Sequence, residues 1–159
     1  MARKGTVQEA IRQQRPLRSA SQEAFLALML AAEAVRAPFE TRFATEEGLT
    51  LQQYNVLRIL RGAGADGLPT LEIGERMIER TPGVTRLVDR LIEKKLVARE
   101  RSAEDRRQVW CSITARGKQL LARYDDEVDG LEEQAFNCLR PEELRTFIQL
   151  ANKLRNHQP

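Results

Sequence analysis

The chain is poor in the residues most enzymes work with. It has one histidine, His157, third from the end, and two cysteines, Cys111 and Cys138. The cysteines do not form a Cys-x-x-Cys pair and no histidine stands near them, which excludes the usual zinc spacings. There is no glycine-rich phosphate loop and no cluster of metal-ligand residues. The expectation is a protein that is not an enzyme and uses no metal or cofactor. Aromatic residues make up only 5% of the chain and charged residues 31%. With abundant Leu, Ala, Glu and Arg, that balance argues for helices and against a β-sandwich. No apolar run approaches the roughly 20 residues of a membrane span, and no signal-peptide core is present. A cytoplasmic protein with reduced thiols, away from membranes, is the default.

What the chain has in quantity is charge, unevenly placed. The formal net charge is only +3. Residues 1–18 hold five basic side chains against one acidic, residues 80–107 nine against five, and residues 124–159 four against eight. A basic arm, a basic middle and an acidic tail fit a protein that turns one end towards a polyanion. A chain of 159 residues is one ordinary domain, or one compact domain with a helical appendage.

Residues 1–18 lack a clear apolar period and are expected to form a mobile basic arm with some helix. A first helix starts near Ser19 or Ser21 and carries Phe25, Leu28, Met29, Ala32, Val35 and Phe39 at helical spacing. Pro38 interrupts it, which predicts a kink or two abutting helices. Leu49-Thr50-Leu51-Gln52-Gln53-Tyr54 is a strong helix start. Thr50 and Gln53 make a capping box, and Leu49 and Tyr54 sit at the staple positions. Leu68-Pro69 suits only an edge strand. Thr70 is expected to cap the next helix, with Leu71, Ile73, Met77 and Ile78 inside and Gly74 permitting a close neighbour. Thr81 caps a further helix with Pro82 at its first position. Its inner stripe is Val84, Leu87, Val88, Leu91 and Ile92, and its outer face is Thr85, Arg86, Asp89 and Glu93, with Arg90 at the border. A tight turn at about residues 79–81 gives these two helices helix-turn-helix spacing.

Residues 96–101 and 108–113 alternate as strands do, joined by a polar tip. Val109, Cys111 and Ile113 share one face, met by Leu96 and Ala98, and Trp110 takes the other. Thr114 caps a long helix with Leu120, Leu121, Tyr124, Val128, Leu131, Ala135 and Cys138 in its stripe. Pro141 begins the last helix, with Leu144, Phe147, Ile148, Ala151 and Leu154 inside. Both thiols are read as buried and inert. Three apolar stripes at the two ends of the chain exceed what one central module covers. A second copy, through a two-fold interface, would cover them. An amphipathic helix beside a charged hairpin, at residues 81–107, suggests a reader of duplex DNA.

At Gln53-Tyr54-Asn55-Val56-Leu57, Leu71-Glu72-Ile73-Gly74, Val84-Thr85-Arg86-Leu87-Val88-Asp89-Arg90-Leu91, Leu96-Val97-Ala98-Arg99 and Asp105-Arg106-Arg107 with Ile113-Thr114-Ala115-Arg116-Gly117, the chain resembles the MarR family of bacterial transcriptional regulators. The order and spacing of these pieces together carry the resemblance, over nearly the whole chain. It implies a mostly α fold with a small β wing (α+β). The winged helix-turn-helix lobe is residues 49–113, with the recognition helix about 82–95 and the wing about 96–113. Residues 19–48 and 114–159 are the helical dimerisation region. It also implies a homodimer on a pseudo-palindromic operator, acting as a repressor near the nucleoid. The chain departs from the family at Lys95, where Gly is usual, and at Ile92, a commonly charged position. Lys95 must take a left-handed conformation or shift the turn.

Candidate DNA-binding residues are Thr81, Pro82, Gly83, Thr85, Arg86 and Arg90 on the recognition helix and Asp105, Arg106 and Arg107 on the wing. Arg86 suits a bidentate contact to guanine O6 and N7. Arg107 suits a narrow minor groove, with Asp105 fixing a wing arginine. Arg106 reaches phosphate at most. Asp89 is awkward near DNA: it orients Arg86, accepts from a cytosine amino group, or, the favoured reading, has an intrahelical partner. The resemblance further implies a small aromatic or phenolic effector, for which Phe39, Arg42, Phe43 and Tyr54 are candidates, although the aromatics also fit as core. The competing function is a winged-helix module that binds protein and not DNA. Salt separates them, since binding through several phosphates weakens steeply with ionic strength.

Overall fold

The structure is a computed structural model that describes residues 5–46, 48–79, 83–101 and 109–157. The chain divides into two compact units, Met1–Thr41 and Arg42–Pro159.

In the first unit, Thr6 caps the short helix α1 (Val7–Ala10). Its hydroxyl accepts the Glu9 N–H, and the Glu9 carboxylate accepts the Thr6 N–H at 2.9 Å. Helix α2 (Ala20–Glu46) begins where Ser19 and Ser21 predict. It runs through Pro38 as one helix, so of the two expected outcomes, a kink or a pair of abutting helices, the pair does not form. Apolar residues on both sides of Pro38 keep helical phase, and Phe43 beyond it is fully buried. One missing N–H bond need not break a helix whose other turns keep their hydrogen bonds. Phe25, Leu28 and Met29 of α2 are exposed in this chain.

In the second unit, the Thr50–Gln53 capping box starts α3 (Leu51–Gly62) as the sequence requires, and Leu49 and Tyr54 are both buried. Val56, Leu57 and Leu60 of α3 fill the centre of the core. Strand β1 (Leu68–Pro69) leads directly into α4 (Thr70–Arg76). Thr70 is the first helical residue and not the cap; Pro69 holds that position. The Thr70 hydroxyl instead lies 3.5 Å from Cys111 Sγ. Of the four residues expected inside, Ile73 and Met77 are buried, but Leu71 is 78% and Ile78 86% exposed. The helix ends at Arg76 and Met77 turns extended, so Ile78 no longer shares a helical face with Ile73.

Helix α5 (Val84–Glu93) packs against α4. A Cβ added at Gly74 would stand 3.3 Å from Val84, so the close approach the glycine permits is used. α5 ends as a Schellman turn: the Leu96 N–H bonds the Leu91 carbonyl and the Lys95 N–H the Ile92 carbonyl. Lys95 is left-handed there, with φ of 60°. Strands β2 (Val97–Arg101) and β3 (Val109–Ile113) follow. The sheet is antiparallel in the order β1-β3-β2, which makes β1 an edge. Val97 pairs Ile113 and Arg99 pairs Cys111. The inner face of β2 therefore carries Val97 and Arg99, not Leu96 and Ala98 as the alternation predicts. Leu96 is buried by the Schellman turn that precedes the strand, which shifts the phase by one residue.

Thr114 caps α6 (Ala115–Phe136) and accepts the Gly117 N–H at 3.0 Å. Its hydroxyl also donates to the Lys95 carbonyl at 2.9 Å, tying the start of α6 to the end of α5. A Cβ on Gly117 would collide with the Leu96 carbonyl oxygen. Leu120, Leu121, Tyr124 and Val128 of α6 are buried. Pro141 opens α7 (Pro141–Asn156) at its first turn, and Phe136 meets Phe147 with ring centroids 5.9 Å apart. Leu144 is half-buried, but the rest of the predicted inner stripe of α7 faces outwards: Phe147, Ile148, Ala151 and Leu154 are exposed, as is Leu150. Cys138 is exposed as well, against the expectation of a buried thiol, because the stripe of α6 loses its cover beyond Val128. No helix among the described residues is long and apolar enough to cross a membrane.

Candidate nucleic-acid interface

The interface begins with the two faces of α5. Val88 and Leu91 are fully buried, and Val84, Leu87 and Ile92 are half-buried beside them. This stripe fixes the helix's rotation, so Thr85, Arg86, Arg90 and Glu93 must face solvent, and all four are exposed. The helix starts at Val84 with Gly83 as its cap and no capping side chain, two residues later than the sequence predicts. Thr81 and Pro82 lie outside the described residues, as do Asp105, Arg106 and Arg107 of the wing tip. Among the sequence-predicted DNA-binding residues, the structure thus places Gly83, Thr85, Arg86 and Arg90 on one end and face of a single helix.

Asp89 shares that side of α5 but has no intrahelical partner. Its Oδ1 accepts from Arg99 Nη2 of β2 at 2.7 Å. Arg99 stands opposite the buried Cys111 of β3 in the strand register. Burial works against the Arg99 charge, but its pairing with Asp89, with Cys111 nearby, outweighs it and raises its pKa above the ordinary arginine value. Sequence reading missed this pair because the phase of β2 was displaced by one. With Arg99 on the inner face, the strand that follows α5 necessarily brings it back towards that helix. Arg99 and Thr85 also line an open cleft of about 720 Å³, with Leu71, Glu72 and Glu75 of α4 on its other wall.

The residues proposed for an effector are placed differently. Phe43 stacks on Tyr54, and both rings meet Tyr124 of α6 edge-on, at 5.2 and 6.4 Å. Arg42 lies over the Tyr124 ring at 5.1 Å and makes a two-pronged ion pair with Glu127, one prong at 2.8 Å. Phe43 and Tyr54 are core, as their alternative reading has it. Phe39 belongs to the first unit, where it is half-buried. Burial raises the Tyr54 pKa, against the opposing pull of Arg58. Arg61 grips Asp125 with two hydrogen bonds, at 2.8 and 2.9 Å, and holds its carboxyl below the ordinary value. Glu127 is lowered in the same way by Arg42. These ion pairs join α3 and the end of α2 to α6.

This arrangement has known counterparts. The sequence model of the MarR family matches residues 47–108. An uncharacterised helix-turn-helix transcriptional regulator of Bacillus subtilis, YpoP, is 31% identical over 113 residues, covering 69% of this chain and 76% of its own. The crystal structure of a MarR transcription factor from Planctomyces limnophilus is 35% identical with a TM-score of 0.66, covering 86% of this chain and 98% of that one. Sco3205 of Streptomyces coelicolor, a MarR family regulator solved in complex with DNA, shares the fold at a TM-score of 0.78, with 21% identity over 90% of this chain and 95% of its own. The winged-helix fold and these relatives agree: the chain belongs to the MarR family of transcriptional regulators.

Proposed function

We propose that this protein binds double-stranded DNA sequence-specifically as a homodimer, on a pseudo-palindromic operator, and acts as a repressor. The observation that carries this is the outer face of α5. Arg86 and Arg90 are exposed there, and among the described residues neither has an acidic partner, although Asp89 and Glu93 stand on the same helix. Unpaired guanidiniums on a helix presented by a winged-helix core are what major-groove reading needs. Thr85 adds a hydroxyl and a methyl for base or phosphate. The uncapped first turn at Gly83 offers backbone N–H groups to a phosphate. Thr81 and Pro82, which precede Gly83 in the chain, would add contacts to DNA, and the wing residues Asp105, Arg106 and Arg107 would supply the minor-groove anchor. Sco3205, which shares the fold, was solved in complex with DNA, and this supports DNA binding as the reading for this chain.

The apolar residues left exposed on α7, and separately on α2, support pairing with a second copy. A small aromatic or phenolic anion acting at Arg42, Phe43 and Tyr54 would have to compete with Glu127 for the Arg42 guanidinium. Such a ligand would loosen the link between the end of α2 and α6. The test is selection of bound sites from random duplexes. A palindrome with half-sites about one helical turn, roughly 10 bp, apart is the expected result. No enriched motif would overturn the proposal. One observation favours a second reading, a module that binds protein: Leu71 of α4 and Ile78 just beyond its end are exposed. Binding to the partner would then be insensitive to salt, whereas DNA binding weakens steeply as salt rises.

A further inference from the structure

Asp89 stands among the arginines that would read DNA, three residues after Arg86 and one before Arg90. Helical spacing puts Asp89 and Arg86 side by side. A carboxylate there has two harmful options. It can pair with Arg86 and occupy the fork that would span a guanine, or it can stay unpaired and repel phosphates. The fold allows neither. Arg99 reaches over from β2 to take Asp89 at 2.7 Å, and Arg86 remains exposed and without an acidic partner among the described residues. The Arg99 and Asp89 side chains are 32% and 47% accessible, so the pair adds little to folding. Yet Arg99 is not a loose surface arginine. It is carried on β2 opposite Cys111, which is itself fully buried and touched by Thr70. The root of the wing therefore fixes the backbone from which the guanidinium reaches Asp89.

We propose, on the DNA-binding reading above, that Arg99 is a positioning residue: it withdraws Asp89 from Arg86 and so keeps the base-reading guanidinium available. It needs no contact with DNA to do this. The arrangement also makes base reading depend on the wing being folded, because Arg99 is delivered by β2 and α5 alone cannot neutralise Asp89.

The test compares wild type, Arg99→Gln, Arg99→Lys, Asp89→Asn and the double variant Asp89→Asn/Arg99→Gln on the site the wild type selects. Affinity and the base preference at each position of the half-site are both measured, with thermal unfolding as the control for folding. Arg99→Gln should weaken binding at least tenfold and flatten the preference at the base pair Arg86 reads. Asp89→Asn should stay within threefold of wild type. The double variant should return to within threefold and regain the preference, since no carboxylate is left to capture Arg86. Arg99→Lys should keep most of the function, because it keeps the charge. A double variant as weak as Arg99→Gln overturns the proposal, since Arg99 then acts on the DNA itself or on the fold. Unchanged binding by Arg99→Gln also overturns it, as does weakened binding with the base preference intact. A wild type that enriches no motif sinks the DNA-binding reading as well, and that failure shows before any variant is compared.

Discussion

Phe43 lies ring on ring with Tyr54, the centroids 4.2 Å apart and the planes 22° from parallel. This stack joins the last turn of α2 to the first of α3, and Tyr124 closes it from α6. Phe43→Ala removes a fully buried ring at a point where three helices meet, and should cost about 3–5 kcal/mol of stability. Phe43→Leu should cost clearly less. Chemical denaturation measures both, and an unchanged midpoint for the alanine variant would show that this cluster is not core.

Lys95 holds a left-handed conformation, φ 60°, at the position where a Schellman turn favours glycine. Lys95→Gly relieves that strain and should stabilise the protein by roughly 0.5–1 kcal/mol, after the entropy that glycine adds to the unfolded chain. Lys95→Val should destabilise it. If the glycine variant melts lower than wild type, the side chain of Lys95 supports the turn in some other way.

Arg61 holds the Asp125 carboxyl below its ordinary value of 3.8. The unfolded chain, with the higher pKa, takes up the proton first as pH falls. The pair therefore contributes its full stability above about pH 4, and loses it as pH drops through the lowered value. Asp125→Asn should cost a few tenths to about 1 kcal/mol at neutral pH, since the pair is partly exposed. The deficit should shrink towards zero in acid. A deficit independent of pH would mean that the ion pair is not its source.

Arg86→Ala should cost about 1–3 kcal/mol of operator binding and relax the preference at one base pair of each half-site. Arg107→Ala should weaken binding more than tenfold while leaving the major-groove preferences in place. Titration of labelled duplex at two salt concentrations reads both effects, and the single tryptophan, Trp110 on β3, offers an intrinsic signal from the wing. Full-strength binding by the Arg107 variant at moderate salt would remove the wing from the interface.

Ile148→Glu places a charge within the exposed apolar residues of α7. Sedimentation at micromolar concentration should show wild type as a dimer and the variant shifted to monomer, with operator affinity lost in parallel. A variant that remains fully dimeric would place the interface elsewhere.

The features that could be read in advance are local. The Thr50–Gln53 capping box, the Thr114 cap and Pro141 at the start of α7 each depend on groups within a turn of one another, so the residue types suffice. The apolar stripe of α5 was equally legible, because helical geometry alone decides which residues share a face. Several of the misreadings involve partners distant in the chain. Thr70 turned out to face Cys111, 41 positions away, and not the helix it was expected to cap. Leu71 and Ile78 had the right chemistry for a core but no neighbours to cover them.

By itself the sequence determined the order of helices and strands, the buried side of α5 and hence that Thr85, Arg86 and Arg90 face outwards. Period and capping are properties of a continuous stretch of chain, and they survive without knowledge of the rest. Only the tertiary structure decided the phase of β2, and with it that Arg99 and not a helical neighbour neutralises Asp89. A strand's face is set by the first residue that pairs. That residue was chosen by the Schellman turn at Lys95 and the Thr114 bond that holds it, contacts that no window of adjacent residues contains.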